Sequence, residues 1–441
     1  MFGTSGIRGR VGTEMTAEVA LSVGRAVASE GNRTVVVGRD VRQSGRMLVD
    51  ALTAGLRECG ADVLEVGVES TPTVARAVNL LDADAGVVVT ASHNPPPDNG
   101  IKLWTRSGKA FGPDRRDAIE RRLRDGEFDP VAWDELGVRR RCDRTREAHA
   151  ERIVEAVDID GRPDVVVDLG NGAGAITPAT LADLGCRVRT LNGQQDGAFP
   201  GRPSEPTEET LETLAALVER ADADLGIAHD GDADRMLAVD ETGRFVPKDA
   251  LLAIFARTVA SDGDRIAAPV DTSLAVDDAV SEVGASVTRT RVGDVFVAER
   301  ATESDVVFGG EPSGAWIWPE ETLCPDGPLA AAKLVELVDE RGSLSALVEE
   351  IDRYPIERTS VSAAEKGAVV DDLRGRVDDR YDDVDTLDGV RVEVEDGWFL
   401  IRASGTEPLI RVTAESRTDS GLERVFDEAT TLVSETIDRR T

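Results

Sequence analysis

Hydrophobic positions along the chain follow two alternating patterns. Short runs rich in valine and leucine, closed by glycine or polar residues, predict strands at 34–37, 62–66 and 85–89. Longer stretches rich in alanine, leucine and valine predict helices between them, for example near 45–60. Strands that alternate with helices in this way are typical of α/β folds.

The same alternation continues through two further blocks and then changes. The strands predicted there are 164–168, 187–189, 224–228, 236–240, 266–270 and 286–290. The last stretch instead places Glu395-Asp396-Gly397 between apolar runs at 390–394 and 398–402, which predicts a β-hairpin. The sequence therefore predicts three α/β domains with mixed sheets and a C-terminal α+β domain. Their predicted bounds are 1–148, 149–246, 247–352 and 353–441.

Composition and charge narrow the classes of function. The chain has 441 residues and a formal charge of −33, from 51 basic and 84 acidic side chains. Nucleic acids and anionic membranes favour basic surfaces, so neither is expected as a partner. No apolar run approaches the roughly 18 residues of a membrane-spanning helix. The four cysteines stand far apart without metal-type spacing. We therefore expect a cytoplasmic protein with reduced thiols.

The acidic excess is dispersed along the chain, which is typical of a solvated surface. Such a charge repels itself, and molar salt relieves the repulsion by shortening the Debye length to about 3 Å. We interpret the charge as a halophilic adaptation to a salt-rich cytoplasm. Cations near a functional site are informative against this background.

Three aspartates stand at alternate positions between two predicted strands: Asp230, Asp232 and Asp234. In a straight strand they would spread over roughly 13 Å, too far to share an ion. If the chain curls at Gly231 they converge, and carboxylates so close need a cation to neutralise them. Hard oxygen ligands suit Mg²⁺ or Ca²⁺. An EF-hand does not fit, because Arg235 stands where that loop needs glycine, and the alternative is a solvated acidic turn.

A hydroxyl follows the predicted strand at 85–89. Ser92 stands where that strand ends and a loop opens, so it could act as a nucleophile or as a phosphoryl carrier. His93 and Lys102 are close in sequence and could move its proton. Taken alone, the Ser-His-Asn-Pro segment could equally be a turn, and the sequence around Ser92 is not the G-x-S-x-G elbow of a hydrolase triad.

Three further loops carry candidate ligand groups. The first combines guanidinium groups, hydroxyls and a glycine suited to an anion, in Arg402, Ser404, Gly405, Thr406 and Arg411. The second offers Glu311 and Ser313, which could bind sugar hydroxyls, although a plain glycine turn is the alternative. The third, at 168–174, matches the D-x-G-x-G-x-G loop of nucleotide and methyl-donor binders, although a tight turn between strand and helix is the alternative.

Taken together and in this order, the loops resemble the α-D-phosphohexomutase superfamily across essentially the whole chain. The matching segments are 2–9 (F-G-T-S-G-I-R-G), 38–40 (G-R-D), 90–95 (T-A-S-H-N-P), 99–102 (N-G-I-K), 230–235 (D-G-D-A-D-R), 310–314 (G-E-P-S-G) and 402–408 (R-A-S-G-T-E-P). The resemblance implies three related α/β domains and a smaller C-terminal domain around a central cleft. It also implies an intramolecular phosphotransferase that interconverts hexose 6-phosphate and hexose 1-phosphate through a 1,6-bisphosphate.

The resemblance further implies roles for single residues. Ser92 would be carried as phosphoserine, and one Mg²⁺ per chain would be held by Ser92, Asp230, Asp232 and Asp234. Lys102 would be the general base and acid, with His93 and Arg8 as competitors. Arg235 would neutralise charge at the transfer end. The implied substrate-binding residues are Thr4, Ser5, Glu311, Ser313, Arg402, Ser404, Gly405, Thr406 and Arg411.

The implied partner is a small sugar phosphate, the implied activator is a hexose 1,6-bisphosphate, and the chain is expected to be a monomer or homodimer. The choice of hexose depends on two segments. Residues 291–297 (R-V-G-D-V-F-V) resemble the V-G-D loop of phosphoglucosamine mutases, which implies glucosamine 6-phosphate as substrate. Ala315 follows Gly314 where bacterial phosphoglucosamine mutases commonly carry histidine, so the phosphomannomutase/phosphoglucomutase branch is the alternative. Outside the superfamily, the alternatives are a phosphatase, in which water takes the phosphoryl group, and a methyl-donor-binding protein built on 168–174.

Overall fold

A computed structural model describes residues 6–363, 365–378, 380–404 and 409–440. The chain divides into two compact units. Unit 1 contains the residues up to Lys248 together with Ser313–Glu349. Unit 2 contains Asp249–Pro312 together with the residues from Glu350 onward.

Strands and helices alternate along most of the chain, as the sequence predicts. The strands, numbered in chain order, are β1 (Ile7–Arg10), β2 (Thr34–Arg39), β3 (Asp62–Val68), β4 (Ala85–Val89), β5 (Asp98–Thr105), β6 (Arg139–Arg141), β7 (Asp164–Asp168), β8 (Arg187–Leu191), β9 (Leu225–His229), β10 (Met236–Asp240), β11 (Arg265–Pro269), β12 (Ser286–Thr290), β13 (Val306–Glu311), β14 (Ala315–Ile317), β15 (Ile356–Ser362), β16 (Val384–Asp385), β17 (Val390–Val394), β18 (Gly397–Ala403) and β19 (Leu409–Ser416). The α-helices are α1 (Ala17–Ser29), α2 (Gly45–Glu58), α3 (Thr71–Leu80), α4 (Pro113–Asp125), α5 (Thr145–Ala156), α6 (Ile176–Asp183), α7 (Glu212–Ala221), α8 (Lys248–Val259), α9 (Leu274–Ser281), α10 (Asp294–Arg300), α11 (Gly327–Arg341), α12 (Leu344–Glu349), α13 (Lys366–Asp378) and α14 (Asp419–Arg440).

The first sheet of unit 1 has the strand order β1-β5-β4-β2-β3-β6. β2 pairs in parallel with β3 and β4, whereas β5 runs antiparallel to β1 and β4, so the sheet is mixed. All five residues of β4 are buried, as expected for a sheet covered on both faces. Parallel strands end at the same edge, and Asp40 after β2 donates its backbone N–H to the carbonyl of Val89 at 3.1 Å. The loops that follow β2 and β4 therefore lie side by side.

The second sheet of unit 1 has the order β10-β9-β7-β8. β9 pairs in parallel with β7 and antiparallel with β10. The connection from β9 to β10 contains the predicted metal-binding aspartates and leaves the sheet beside the end of β7. The loop at 168–174 begins there as well, so the fold brings these two loops together.

Unit 2 contains a parallel arrangement in which β11 lies between β12 and β13. It also contains an antiparallel sheet with the order β15-β19-β18-β17-β16. The hairpin predicted from Glu395-Asp396-Gly397 is confirmed, since Val394 faces Gly397 in the β17–β18 register. Apolar residues of α13 and α14 form a core with this sheet.

The predicted fold class, α/β sheets of mixed direction followed by an α+β region, is confirmed by these sheets. Several elements were not predicted, among them β5, β15, α13 and the helix of 22 residues α14. Within the described ranges, no helix is both long and apolar enough to cross a bilayer.

Candidate active site

The three aspartates after β9 form a compact group of buried carboxylates. One oxygen from each of Asp230, Asp232 and Asp234 lies within 4.8 Å of the other two. The turn includes Gly231, where the sequence predicts the curl, and its left-handed residue is Ala233 (φ 55°). Glycine is needed at 231 because a Cβ there would lie 2.7 Å from the carbonyl oxygen of Ser92. The three carboxylates therefore converge because the chain makes a tight turn between β9 and β10.

Burial makes this group of charges unfavourable without a cation. Burial raises the pKa of Asp230 well above its usual value, and the neighbouring carboxylates Asp234 and Asp232 raise it further. Burial acts on the pKa of Asp232 in the same direction, but the Lys102 ammonium outweighs it and holds that pKa low. The Oδ1 atom of Asp232 is buried and has no hydrogen-bond partner among the described residues. An acceptor oriented in this way fits a hard cation.

Ser92 contacts the carboxylates directly. Its Oγ donates a hydrogen bond to Asp230 Oδ2 at 2.5 Å and lies 3.4 Å from Asp234 Oδ1. Ser92 is 1% exposed, and its φ of 50° is uncommon for a residue other than glycine. The sheets therefore place a hydroxyl 138 residues away in sequence against the aspartate turn.

A buried arginine holds the serine loop in this conformation. Arg42 donates to the carbonyl oxygens of Ser92 at 2.9 Å, Asn94 at 2.6 Å, Pro95 at 2.7 Å and Asp98 at 2.9 Å. Its side chain is fully buried, and its charge is balanced by Asp40 at 2.9 Å. Backbone strain of the kind seen at Ser92 persists only where the surroundings over-determine it, and these contacts supply that restraint.

Arg42 was not predicted from the sequence as a residue of the site. A signal was available, because the G-R-D motif at 38–40 ends two residues before it. Asp40 also accepts a hydrogen bond from Thr90 Oγ1 at 2.8 Å, which links that motif to the serine loop.

Cationic side chains surround the serine. Lys102 on β5 contacts Asp232 at 2.8 Å and forms an ion pair with Asp234. Arg8 on β1 donates to Asn94 Oδ1 at 3.3 Å, and its buried Nε has no hydrogen-bond partner within the described part of the chain. His93 Nδ1 lies 3.4 Å from Ser92 Oγ.

Burial, together with the nearby charges of Arg235, Arg8 and Lys102, lowers the pKa of His93 to about 2. Its imidazole is therefore neutral, and the charges that act on it are those that could stabilise a phosphoryl group beside Ser92. Arg235 itself lies 3.8 Å from Glu205.

The remaining predicted residues do not all lie in unit 1. In unit 2, Arg402 on β18 lies opposite Arg411 on β19 in the antiparallel register. Both side chains line an open cavity of about 450 Å³. Ser404 follows β18, and its carbonyl accepts a hydrogen bond from Lys366 at 2.5 Å. Glu311 in unit 2 and Ser313 in unit 1 are half-buried. The predicted residues Thr4, Ser5, Gly405 and Thr406 lie outside the described residues.

The glycine-rich loop at 168–174 packs on the aspartate turn. A Cβ at Gly172 would lie 2.8 Å from the Gly231 carbonyl oxygen and 3.0 Å from that of Asp230. Ala173 donates its N–H to the Gly231 carbonyl at 3.0 Å. Arg202 donates to Asp168 Oδ2 at 2.6 Å. These contacts show that residue 172 must be glycine so that this loop can pack against the aspartate turn. They account for the glycine without invoking a methyl-donor site.

Comparison with known proteins gives one family along the chain. Sequence models of the phosphoglucomutase/phosphomannomutase family match in order: alpha/beta/alpha domain I at residues 1–130, domain II at 147–243, domain III at 247–354 and the C-terminal domain at 358–432.

Similar proteins agree with these matches. A protein named "Probable phosphoglucosamine mutase" from Methanopyrus kandleri is 46% identical, in an alignment that covers 98% of this chain and 97% of the relative. A protein of the same name from Methanothermobacter thermautotrophicus is also 46% identical, and the alignment covers 95% of this chain and 94% of that relative. The crystal structure of a phosphoglucomutase/phosphomannomutase family protein from Burkholderia thailandensis has a TM-score of 0.89 at 31% identity, covering 99% of this chain and 98% of that one. The chain therefore belongs to the phosphoglucomutase/phosphomannomutase family, which confirms the resemblance to the phosphohexomutases and the expectation of an isomerase enzyme.

Proposed function

We propose that this enzyme interconverts glucosamine 6-phosphate and glucosamine 1-phosphate. Relatives that share 46% identity are named phosphoglucosamine mutases, and the V-G-D loop at 291–297 favours the same branch. The observation that carries the proposed chemistry is the contact between Ser92 Oγ and Asp230 Oδ2 at 2.5 Å. Asp230 belongs to a buried group of three carboxylates whose charge needs a cation. A hydroxyl placed there can receive and return a phosphoryl group.

Ser92 would act as the phosphoryl carrier. In the first transfer, the bond between phosphorus and Ser92 Oγ breaks and a bond to the free hydroxyl of the sugar phosphate forms, which gives the 1,6-bisphosphate. The proton of that hydroxyl passes to a neighbouring base. Lys102 is the proposed base, accepting this proton in its neutral amine form, and the resulting ammonium is the later acid; His93 and Arg8 are the other candidates. After the bisphosphate reorients, its other phosphoryl group moves to Ser92 Oγ and the proton returns to the sugar oxygen.

Asp230, Asp232 and Asp234, with an oxygen of phosphoserine 92, are proposed to hold one Mg²⁺. When bound, the ion neutralises charge on the phosphoryl oxygens. The buried Oδ1 of Asp232 supports this ligand set, since it has no hydrogen-bond partner in the described ranges. Arg8 Nε, buried and likewise without a hydrogen-bond partner there, is suited to donate to a phosphoryl oxygen. Arg235 would add charge at the same end.

The phosphate that is not transferred and the sugar hydroxyls need further groups. Those proposed are Thr4, Ser5, Glu311, Ser313, Arg402, Ser404, Gly405, Thr406 and Arg411. We also propose four domains with the bounds 1–148, 149–246, 247–352 and 353–441. A hexose 1,6-bisphosphate would load Ser92 and so activate the enzyme.

Replacing Asp232 by asparagine is expected to weaken divalent-metal binding by at least about a hundredfold, because it removes a ligand and not merely a neighbour of one. The variant is titrated with Mg²⁺ and Mn²⁺ by isothermal calorimetry, which needs no turnover. The matched control is Asp125→Asn, an exposed aspartate at the end of α4. Equal affinities in Asp232→Asn and the wild type would contradict the proposed metal site.

The sugar is settled by comparing kcat/KM for the 6-phosphates of glucosamine, glucose and mannose. We expect glucosamine 6-phosphate to have the highest value. A lowest value for glucosamine 6-phosphate would assign the enzyme to the phosphomannomutase/phosphoglucomutase alternative. That alternative has one specific support: Ala315, whose backbone pairs with Arg235, offers only a methyl group where bacterial phosphoglucosamine mutases commonly carry histidine. Release of inorganic phosphate without an isomer would instead indicate a phosphatase.

We further propose that the enzyme works in a salt-rich cytoplasm. Because the formal charge is −33, repulsion should destabilise the folded chain at low ionic strength. The melting temperature is expected to rise when KCl increases from about 0.1 M to molar concentrations, over which the Debye length falls from about 10 to about 3 Å. Differential scanning calorimetry measures this. A melting temperature that falls or stays constant would count against the halophilic interpretation.

A further inference from the structure

The cavity in unit 2 is lined by a third arginine, which was not among the residues predicted from the sequence. Besides Arg402 and Arg411, its lining includes Arg358 and Ser360 from β15. The cavity measures about 450 Å³ and lies on the antiparallel sheet of this unit. In a chain with 51 basic against 84 acidic residues, three guanidinium groups in one cavity oppose the background charge.

The strand register explains why these side chains share a face. Arg411 on β19 faces Arg402 on β18 and Ser360 on β15. Arg358 stands two residues before Ser360, so its side chain leaves the sheet on the same side. Diagonal neighbours on adjacent antiparallel strands lie roughly 7–8 Å apart, within the reach of two arginine side chains. The guanidinium groups of all three arginines can therefore approach one anion.

Arg358 is available for a ligand. Among the described residues it forms neither an ion pair nor a side-chain hydrogen bond, and it is exposed. Arg402 has only a long ion pair there, to Asp388 at 3.6 Å. Asp271, also in the lining, is buried, which raises its pKa, and the charges of Arg402 and Arg358 oppose that rise. Asp271 is therefore electrostatically coupled to both arginines, and Asp249 interacts with Arg358 in the same way. The lining itself contains three arginines and one carboxyl group, which is a positive excess.

We propose that Arg358 is a phosphate-binding residue of this enzyme, acting together with Arg402 and Arg411 on the phosphate group of the sugar phosphate that is not being transferred. The inference rests on the proposed function, because it assigns a further residue to the binding of the same substrate. A planar guanidinium group can give a phosphate two parallel hydrogen bonds, so a third one adds both charge and orientation. Contacts to a phosphate that takes no part in the transfer are the same in the ground and transition states.

The test compares Arg358→Gln with Arg358→Lys and with the control Arg353→Gln. Arg353 is an exposed arginine of the same unit that does not line the cavity, so the control removes the same charge. For Arg358→Gln we expect the KM for glucosamine 6-phosphate to rise about tenfold with kcat within about twofold of wild type, the pattern of lost uniform binding. Arg358→Lys should fall between Arg358→Gln and wild type, and the control should match wild type. All assays are made at one salt concentration.

A second readout separates binding from turnover. In a Ser92→Ala background, calorimetric titration with glucosamine 6-phosphate should show the same rise of about tenfold in Kd when Arg358 is also replaced by glutamine. Titration with inorganic phosphate distinguishes recognition of the phosphate group alone from recognition of the whole sugar phosphate. The melting temperature of Arg358→Gln should equal that of Arg353→Gln.

The outcomes separate this inference from the function on which it rests. If the wild type binds and converts a hexose phosphate but Arg358→Gln matches Arg353→Gln in KM and Kd, the inference is wrong and the function stands. If the wild type neither binds nor converts any hexose phosphate, the proposed function fails and the inference fails with it.

Discussion

Replacing Ser92 by alanine is expected to lower kcat by at least about 10⁴-fold, the scale on which the loss of a nucleophile slows other enzymes. The substitution removes the oxygen that would receive and return the phosphoryl group and that lies 2.5 Å from Asp230 Oδ2. The fold should persist, because Arg42 holds the loop through backbone carbonyls that alanine keeps. Formation of glucosamine 1-phosphate from glucosamine 6-phosphate measures the effect.

The matched control for this change is Ser107→Ala, an exposed serine of the same unit whose hydroxyl forms a hydrogen bond with Thr105 Oγ1 at 3.0 Å. It should keep wild-type kcat. Circular dichroism and the melting temperature check that Ser92→Ala is folded. A folded Ser92→Ala variant with kcat within tenfold of wild type would refute the carrier role.

Replacing Arg42 by methionine is expected to destabilise unit 1 by about 3–5 kcal/mol, the cost of leaving one member of a buried ion pair without its partner. Asp40 would keep a buried carboxylate, and four backbone carbonyls of the serine loop would lose their hydrogen bonds from Arg42. The carbonyl of Ser92 would keep only the bond from Ser204 Oγ at 2.7 Å among the bonds between described residues. Activity should fall with stability, because Ser92 then loses the contacts that hold its φ of 50°. Urea and thermal unfolding measure the stability, and kcat is measured at a temperature where the variant is folded.

The pH dependence of this variant is a second check. Burial already raises the pKa of Asp40 to about 6 against the charge of Arg42, and losing that charge should raise the pKa further. A carboxyl group whose folded pKa is raised above its unfolded value destabilises the fold at high pH, and this penalty disappears once it binds a proton. The difference in the free energy of unfolding between the wild type and Arg42→Met should therefore shrink as the pH falls from about 8 to about 5. The control Arg46→Met removes an exposed arginine, and equal stability of the two variants would contradict the role given to Arg42.

Local patterns were sufficient to predict most of the unit 1 strands. The run at 85–89 is apolar throughout because helices cover both faces of its sheet, and it forms β4 with the same bounds. The long helix α14 was missed although it buries a stripe that includes Val425, Ala429, Leu432 and Val433. Its exposed face carries many charged residues, which lowers the overall apolar content and hides that stripe in a short window.

The candidate site, too, was predicted only in part from local sequence patterns. The three aspartates stand close in sequence, so their convergence followed from local chemistry, and only the left-handed conformation of Ala233 within the turn was not predicted. The contact between Ser92 and Asp230 joins two sheets of unit 1, and no spacing rule gives it; it was expected only through a resemblance to a family. Arg42 was missed because its function depends on carbonyl groups that the loop presents only after folding.

The most direct measurement is peptide mapping of the wild-type protein after incubation with Mg²⁺ and glucose 1,6-bisphosphate whose phosphate groups carry radioactive phosphorus. One phosphoryl group should appear on the peptide that contains Ser92, and it should leave the protein when unlabelled glucosamine 6-phosphate is added in excess. Label on a different residue, or label on Ser92 that the sugar phosphate does not remove, would contradict the account.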